Sequence, residues 1–200
     1  MSCECSDDGV DASGLRDAIT ALESGFLVVF PTDTVYGLAA DPRVAGARDK
    51  LYEAKKREPR KPIPILISDS VVAERMGAVF TEAAKKLATR FWPGPVTMVL
   101  PVGSGFEGFR VPRHPVALAL LKAVGGALYT TSANISGCPP AESAADAFAA
   151  LSPFVKVALD GGPAPDGRES TVVRVDETGV SMLREGAVSR GAIESCIAKR

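Results

Sequence analysis

The chain has 200 residues, 46% hydrophobic and 24% charged, with a formal net charge of −1. That is ordinary globular composition, long enough to bury a core without disulfide staples and suited to one domain or two small ones. A charge so near zero excludes a global field for nucleic acid, so any affinity for polyanions has to come from a local cluster of Lys and Arg.

The elements alternate along the chain. SGLRDAITALESG places Leu15, Ala18, Ile19 and Leu22 on one helical face, with Ser13 as N-cap and Gly25 as stop. FLVVF (26–30) reads as a buried strand. ARDKLYEAKKRE (47–58) reads as a helix ended by Pro59, and PIPILIS (62–68) as a strand whose two prolines suggest an edge or a strand start. TEAAKKLATRFW (81–92) is helical and VTMVLPV (96–102) a strand. HPVALALLKAVGG (114–126) is a helix with Pro115 in its first turn. ALYTTS (127–132) is a strand, SAADAFAALS (143–152) a helix and VKVAL (155–159) a strand. STVVRV and VSMLRE are short strands, and SRGAIESCIAKR (189–200) is a closing helix. This is an α/β layer protein with a mixed, twisted sheet and flanking helices. No repeat or linker divides it, so one domain over 1–200 is expected, its core at about 12–190.

Cysteines stand at 3, 5, 138 and 196, with neither CxxC nor His-Cys spacing. They read as reduced thiols of a cytoplasmic protein, and Cys3 with Cys5 falls short of the four ligands of a structural zinc. The N-terminus lacks the basic and apolar regions of a signal peptide, and no apolar stretch approaches the roughly 20 residues of a membrane span.

Four polar patches fall at strand ends: PTDT (31–34), KKREPRK (55–61), TTSANISG (130–137) and GRES (167–170). Ligands of open α/β sheets bind beyond strand ends, yet turns use the same residue types. Lys55, Lys56, Arg57, Arg60 and Lys61 are either a solvated helix end or fixed cations for a triphosphate. Ser132, Asn134 and Ser136 are either turn formers or contacts to phosphate oxygens. GGPAPDGRES looks like a P-loop but puts Arg168-Glu169 where Lys-Ser/Thr is required. His114, the single histidine, has no G-x-S-x-G nucleophile to serve and reads as a helix-start residue.

The strings FPTDTVYGLAADP, AKKREPRKPIPILIS, FWPGPVTMVL, FRVPRHP, TTSANISGCPP, GRESTVV and LREGAVS occur in order over residues 30–189. Together they resemble the threonylcarbamoyl-AMP synthase family, the YrdC-like proteins, in its short, single-domain form. The resemblance implies a twisted α/β sheet with a concave, positively charged face. It implies synthesis of L-threonylcarbamoyl-AMP and pyrophosphate from L-threonine, bicarbonate and ATP. A threonylcarbamoyl transferase complex would then modify an adenosine next to the tRNA anticodon.

By the same resemblance, Lys55 and Arg57 are expected to be catalytic. Thr34, Arg110, Thr130 and Ser170 are expected to bind threonine. Arg57, Lys61, Ser132, Asn134 and Arg184 are expected to bind ATP. Mg2+ is expected on the nucleotide phosphates, with no protein metal cage; Asp33 and Glu169 are the nearest candidates for one. Three positions depart from the pattern. Leu66 stands where some members have histidine, Phe106 where others place a hydroxyl near ATP, and Pro140 where serine is common. An RNA-binding module contacting tRNA or double-stranded RNA, and a carbamoyl-transferring paralogue, are the alternatives. The charge balance speaks against the first, and the lack of zinc-finger-like cysteines against the second.

Overall fold

Two β-branched residues between bulky apolar neighbours make Leu27–Phe30 (β1) a strand buried on both faces. The computed structural model describes residues 11–56, 58, 62–164 and 167–198. Among these, β1 is joined by β2 (Gly37–Ala40), β3 (Ile65–Ile67), β4 (Val96–Val102), β5 (Gly105–Arg110), β6 (Ala127–Ser132), β7 (Val155–Ala158), β8 (Thr171–Asp176) and β9 (Gly179–Arg184). They form one sheet in the order β7-β1-β2-β6-β3-β5-β4-β8-β9. Pairs β1/β7, β3/β5 and β4/β8 are parallel, and the rest are antiparallel. The mixed sheet expected from the sequence is therefore present.

The period of two along each strand divides the core. Leu27 and Val29 point to one face, where α2 (Ala47–Ala54) and α6 (Ala144–Leu151) cover them. Further along that face, Ile65, Ile67, Met98 and Phe109 pack beneath α3 (Ser70–Arg75), α4 (Glu82–Phe91) and α7 (Arg190–Ala198). Val28, Phe30, Leu66 and Leu128 point to the opposite face, under α1 (Ala12–Glu23) and α5 (Pro115–Ala123). Each fully buried side chain of this kind contributes roughly 1.5–3 kcal/mol. The second face is covered over part of its length, and the remainder carries the site.

Several expectations change. Asp11, not Ser13, caps α1, accepting from the Ser13 and Gly14 amides at 3.0 and 3.2 Å; a carboxylate satisfies two of the orphan N–H groups. β3 is an interior strand, so the edge reading of PIPILIS is wrong and the strand-start reading holds. Pro62 and Pro64 precede it, and the Pro64 carbonyl still accepts the Thr130 amide at 2.9 Å. The helix α2 stops at Ala54, four residues before Glu58. Lys56 adopts φ +49°, a left-handed conformation that ends the helix as glycine commonly does. The predicted helix end at Pro59 lies outside the described residues.

Candidate functional site

PTDT occupies the connection from β1 to β2. Thr32 and Thr34 are each 3% exposed. Thr32 Oγ1 donates to the Val35 carbonyl at 2.7 Å and accepts the Thr34 amide at 3.1 Å, a hydroxyl-stabilised turn that reverses the chain. The turn reading of this patch is thus correct. It also aims Asp33 and Thr34 at β5. Arg110 Nη1 donates to Thr34 Oγ1 at 2.8 Å, and Arg110 Nη2 to Asp33 Oδ1 at 2.5 Å. Asp33 Oδ1 also accepts the Arg113 amide at 2.9 Å.

FWPGP supplies the third hold on Arg110. Its Nε donates to the Gly94 carbonyl at 3.1 Å. Gly94 cannot be larger, since a Cβ there would lie 2.5 Å from the Phe91 carbonyl oxygen. Three nitrogens of Arg110 are occupied among the described residues, and a guanidinium has five N–H groups, two more than these bonds use. Arg110 is 5% exposed. Burial pushes its pKa down, and Asp33 opposes that by charge and hydrogen bond.

GRES and LREGAVS form one unit on the far side. Ser170 Oγ lies 2.9 Å from Thr97 Oγ1. Arg184 Nη2 donates to the Ser170 carbonyl at 2.9 Å, and Arg184 Nη1 to Glu169 Oε2 at 2.5 Å. Gly186 lets the two segments meet, because a Cβ would come within 2.3 Å of the Glu169 carbonyl oxygen. Thr171 Oγ1 stitches them further, accepting the Gly186 and Val188 amides at 2.9 Å each and donating to the Val188 carbonyl at 2.6 Å.

Lys55 overturns the solvated-helix-end reading at its own position, being 3% exposed. Its Nζ donates to the Ser132 and Asn134 carbonyls, both at 2.6 Å, and to Asn134 Oδ1 at 3.0 Å. Asn134 Nδ2 in turn donates to the Cys138 carbonyl at 2.6 Å. TSANISG is therefore shaped by a buried ammonium, a strong, charge-assisted arrangement.

These parts enclose a cleft of about 370 Å³. Thr34, Arg110, Thr130, Ser132, Ser170 and Arg184 all line it, so six predicted site residues converge. Lys55 and Asn134 sit behind its wall, and Arg57 and Lys61 lie outside the described residues. The Arg184 charge also lowers the Arg110 pKa, by less than burial does. Of the departures, Leu66 and Phe106 line the cleft and Pro140 does not. Asp33 and Glu169 each face a guanidinium, and among the described residues no group of three or more His, Cys, Asp or Glu could hold a metal ion.

Sequence reasoning missed Thr97, Tyr36 and Leu183 as lining residues. Thr97 had a signal, a lone hydroxyl within an apolar strand. Tyr36 had none nearby: its hydroxyl donates to the Gly162 carbonyl at 2.5 Å, 126 residues away. Burial raises the Tyr36 pKa. His114 is the N-cap residue of α5, as expected, and its Nδ1 is buried without a hydrogen bond among the described residues.

The chain matches the Sua5/YciO/YrdC family model, described as telomere recombination, over residues 20–186. It is 36% identical over 194 residues to a threonylcarbamoyl-AMP synthase of Bacillus subtilis, covering 92% of this chain and 56% of that protein. A putative threonylcarbamoyl-AMP synthase of Mycobacterium tuberculosis is also 36% identical, with 93% and 90% covered. The crystal structure of P. abyssi Sua5 complexed with L-threonine superposes with a TM-score of 0.86 at 34% identity, covering 92% of this chain and 57% of that one. The chain thus spans little more than half the length of two of these relatives and nearly all of the third. With a family model matching most of the chain and relatives above 30% identity across it, the chain belongs to the Sua5/YciO/YrdC family.

Proposed function

We propose that the chain is an L-threonylcarbamoyladenylate synthase, a nucleotidyltransferase. The observation that carries this reading is Arg110: a buried guanidinium, held on three sides, that borders a hydroxyl-lined cleft and has two N–H groups more than those bonds use. An amino-acid carboxylate is the ligand that matches such a fork. Thr34, Thr130 and Ser170 offer hydrogen bonds for the threonine side chain and amine. Relatives bearing the synthase name, and one relative solved with L-threonine, support the same assignment.

In the proposed reaction the threonine amine adds to bicarbonate, releasing water and giving a carbamate. A carbamate oxygen attacks the α-phosphorus of ATP as the bond to the β-phosphate breaks, and pyrophosphate leaves. No protein nucleophile is required. Carboxylate, carbamate and triphosphate have to be held together, which calls for cations and oriented hydroxyls. Arg110 takes the carboxylate, while Arg184, Ser132, Arg57 and Lys61 take the phosphates. Lys55 and Asn134 act as positioning residues by fixing the end of β6, where Ser132 stands, and the loop that follows it. Mg2+ enters as part of the MgATP substrate, since Asp33 and Glu169 are already ion-paired. The product would pass to a transferase complex acting on tRNA. Mass spectrometry of reactions with labelled bicarbonate tests the assignment. The label should appear in a threonine-containing adenylate, and a product without threonine would overturn it.

A further inference from the structure

A threonine hydroxyl has one proton to give and two lone pairs with which to accept. Thr32, Thr34 and Thr130 all line the cleft and are 3%, 3% and 4% exposed. Thr32 Oγ1 lies 2.7 Å from the Val35 carbonyl oxygen. A carbonyl has no proton, so this contact uses the only proton of Thr32. Thr32 Oγ1 also lies 3.0 Å from Thr34 Oγ1. With the Thr32 proton already placed, Thr34 is the donor of that pair. The Thr34 amide fills the other lone pair of Thr32, at 3.1 Å. Thr32 is thereby saturated.

Thr34 acquires the opposite character. Its proton goes to Thr32, one lone pair takes Arg110 Nη1 at 2.8 Å, and one lone pair remains. Thr130 Oγ1 likewise commits its proton, to the Leu128 carbonyl at 3.2 Å. Both hydroxyls can accept from a ligand, and neither can donate to one. Arg110 beside them can only donate. A donor for a carboxylate thus stands next to acceptors for N–H groups, which is the pattern of a zwitterionic amino acid. Its α-nitrogen is one carbon removed from the carboxylate. A carboxylate on Arg110 therefore brings the amine within reach of the hydroxyl that Arg110 touches.

We propose that Thr32 is a positioning residue for the substrate amine: by taking the Thr34 proton it makes Thr34 Oγ1 an acceptor only, which receives a substrate N–H and leaves the nitrogen lone pair unblocked. This rests on the reading of the cleft as a threonine site. A hydroxyl free to turn would donate to a neutral amine and occupy the lone pair that has to attack carbon. It would equally accommodate a ligand with an acceptor in place of the amine. Thr32 removes both options.

The test uses the full chain and two ligands that differ at one group, L-serine and hydroxypyruvate. The second has a carbonyl acceptor where serine has its amine. Dissociation constants come from displacement of labelled L-threonine. The wild type should prefer serine. Thr32→Val keeps the shape and frees the Thr34 proton, so that preference should shrink roughly three- to tenfold, as for one neutral hydrogen bond. Thr32→Ser keeps the hydroxyl and should hold the preference within about twofold. A merely loosened turn would weaken both ligands alike. Equal affinities in the wild type, an unchanged ratio in Thr32→Val, or the same fall in Thr32→Ser overturns the proposal. If Thr32→Val does not fold, neutron diffraction from the wild type with L-threonine bound decides. Deuterium on Thr34 Oγ1 should point at Thr32 Oγ1, and any other direction overturns the proposal. Failure of the wild-type chain to bind L-threonine would overturn the underlying reading of the cleft as well.

Discussion

Arg110 Nη2 donates to Asp33 Oδ1 across 2.5 Å, tying β5 to the turn between β1 and β2. The pair is almost fully buried, and Asp33 Oδ2 has no hydrogen-bond partner among the described residues. Breaking a buried pair leaves the other charge uncompensated, at a cost of about 3–5 kcal/mol. Arg110→Ala should therefore lower the melting temperature as well as abolish use of threonine. Arg110→Lys keeps a charge but loses the fork, and should raise the threonine KM roughly ten- to a hundredfold, as expected for charged hydrogen bonds. Steady-state kinetics with a thermal melt checks both; a near-normal threonine KM in Arg110→Lys removes the carboxylate role.

Lys55 predicts a different signature. Its ammonium serves oxygen acceptors of Ser132 and Asn134. Lys55→Met fills the same space and strands those acceptors, so a stability loss of at least about 1–3 kcal/mol is expected. Limited proteolysis should then cut within residues 131–138 at lower protease concentration than in the wild type. Loss of activity without any change in melting or cleavage would show a direct catalytic role instead of a positioning one.

Arg57 is compared with its neighbour Lys56. Loss of a phosphate-binding guanidinium should lower kcat/KM by about 1.5–3 kcal/mol, or roughly ten- to a hundredfold. Lys56→Ala should stay near wild type in activity, since alanine at φ +49° is no better placed than lysine. Matching, near-normal rates for the two variants would remove Arg57 from the site.

The fold was legible where periodicity was strong. β4 and β6 were read at the bounds observed, and α4, α5 and α6 within a few residues. β2 was not, because Gly37-Leu38-Ala39-Ala40 has little strand propensity and pairs through small residues packed between β1 and β6. β5 was missed because Gly105 and Gly108 look like loop residues. The site was legible as separate strings, but their convergence was not. Thr34 and Arg110 are 76 residues apart, and nothing in PTDT or FRVPRHP announces their hydrogen bond. Lys55 looked like the tip of a basic surface, because charge patterns do not report which member of a cluster turns inward.

Substrate choice follows from the hydroxyls. A pocket that hydrogen-bonds a substrate hydroxyl rejects the isostere lacking it far more strongly than one missing a methyl group. Valine should be a much poorer substrate than serine. Comparable turnover of the two would show that Thr34, Thr130 and Ser170 do not read the side chain.

His114 gives a pH dependence of stability. Burial holds its pKa below the ordinary value of 6.5, against a smaller upward pull from Asp33. Between the lowered folded value and about 6.5, the unfolded chain binds more protons, so stability falls as pH drops through that window. His114→Gln should make the decline in melting temperature below about pH 6.5 shallower. An identical slope in both proteins would mean that His114 titrates alike in the folded and unfolded chains.

Pyrophosphate release from MgATP by the purified chain, with and without L-threonine and with and without bicarbonate, tests the central claim most directly. Release is predicted only when both are present. Equal release in the absence of threonine would contradict the account and leave a plain ATPase or a different acceptor.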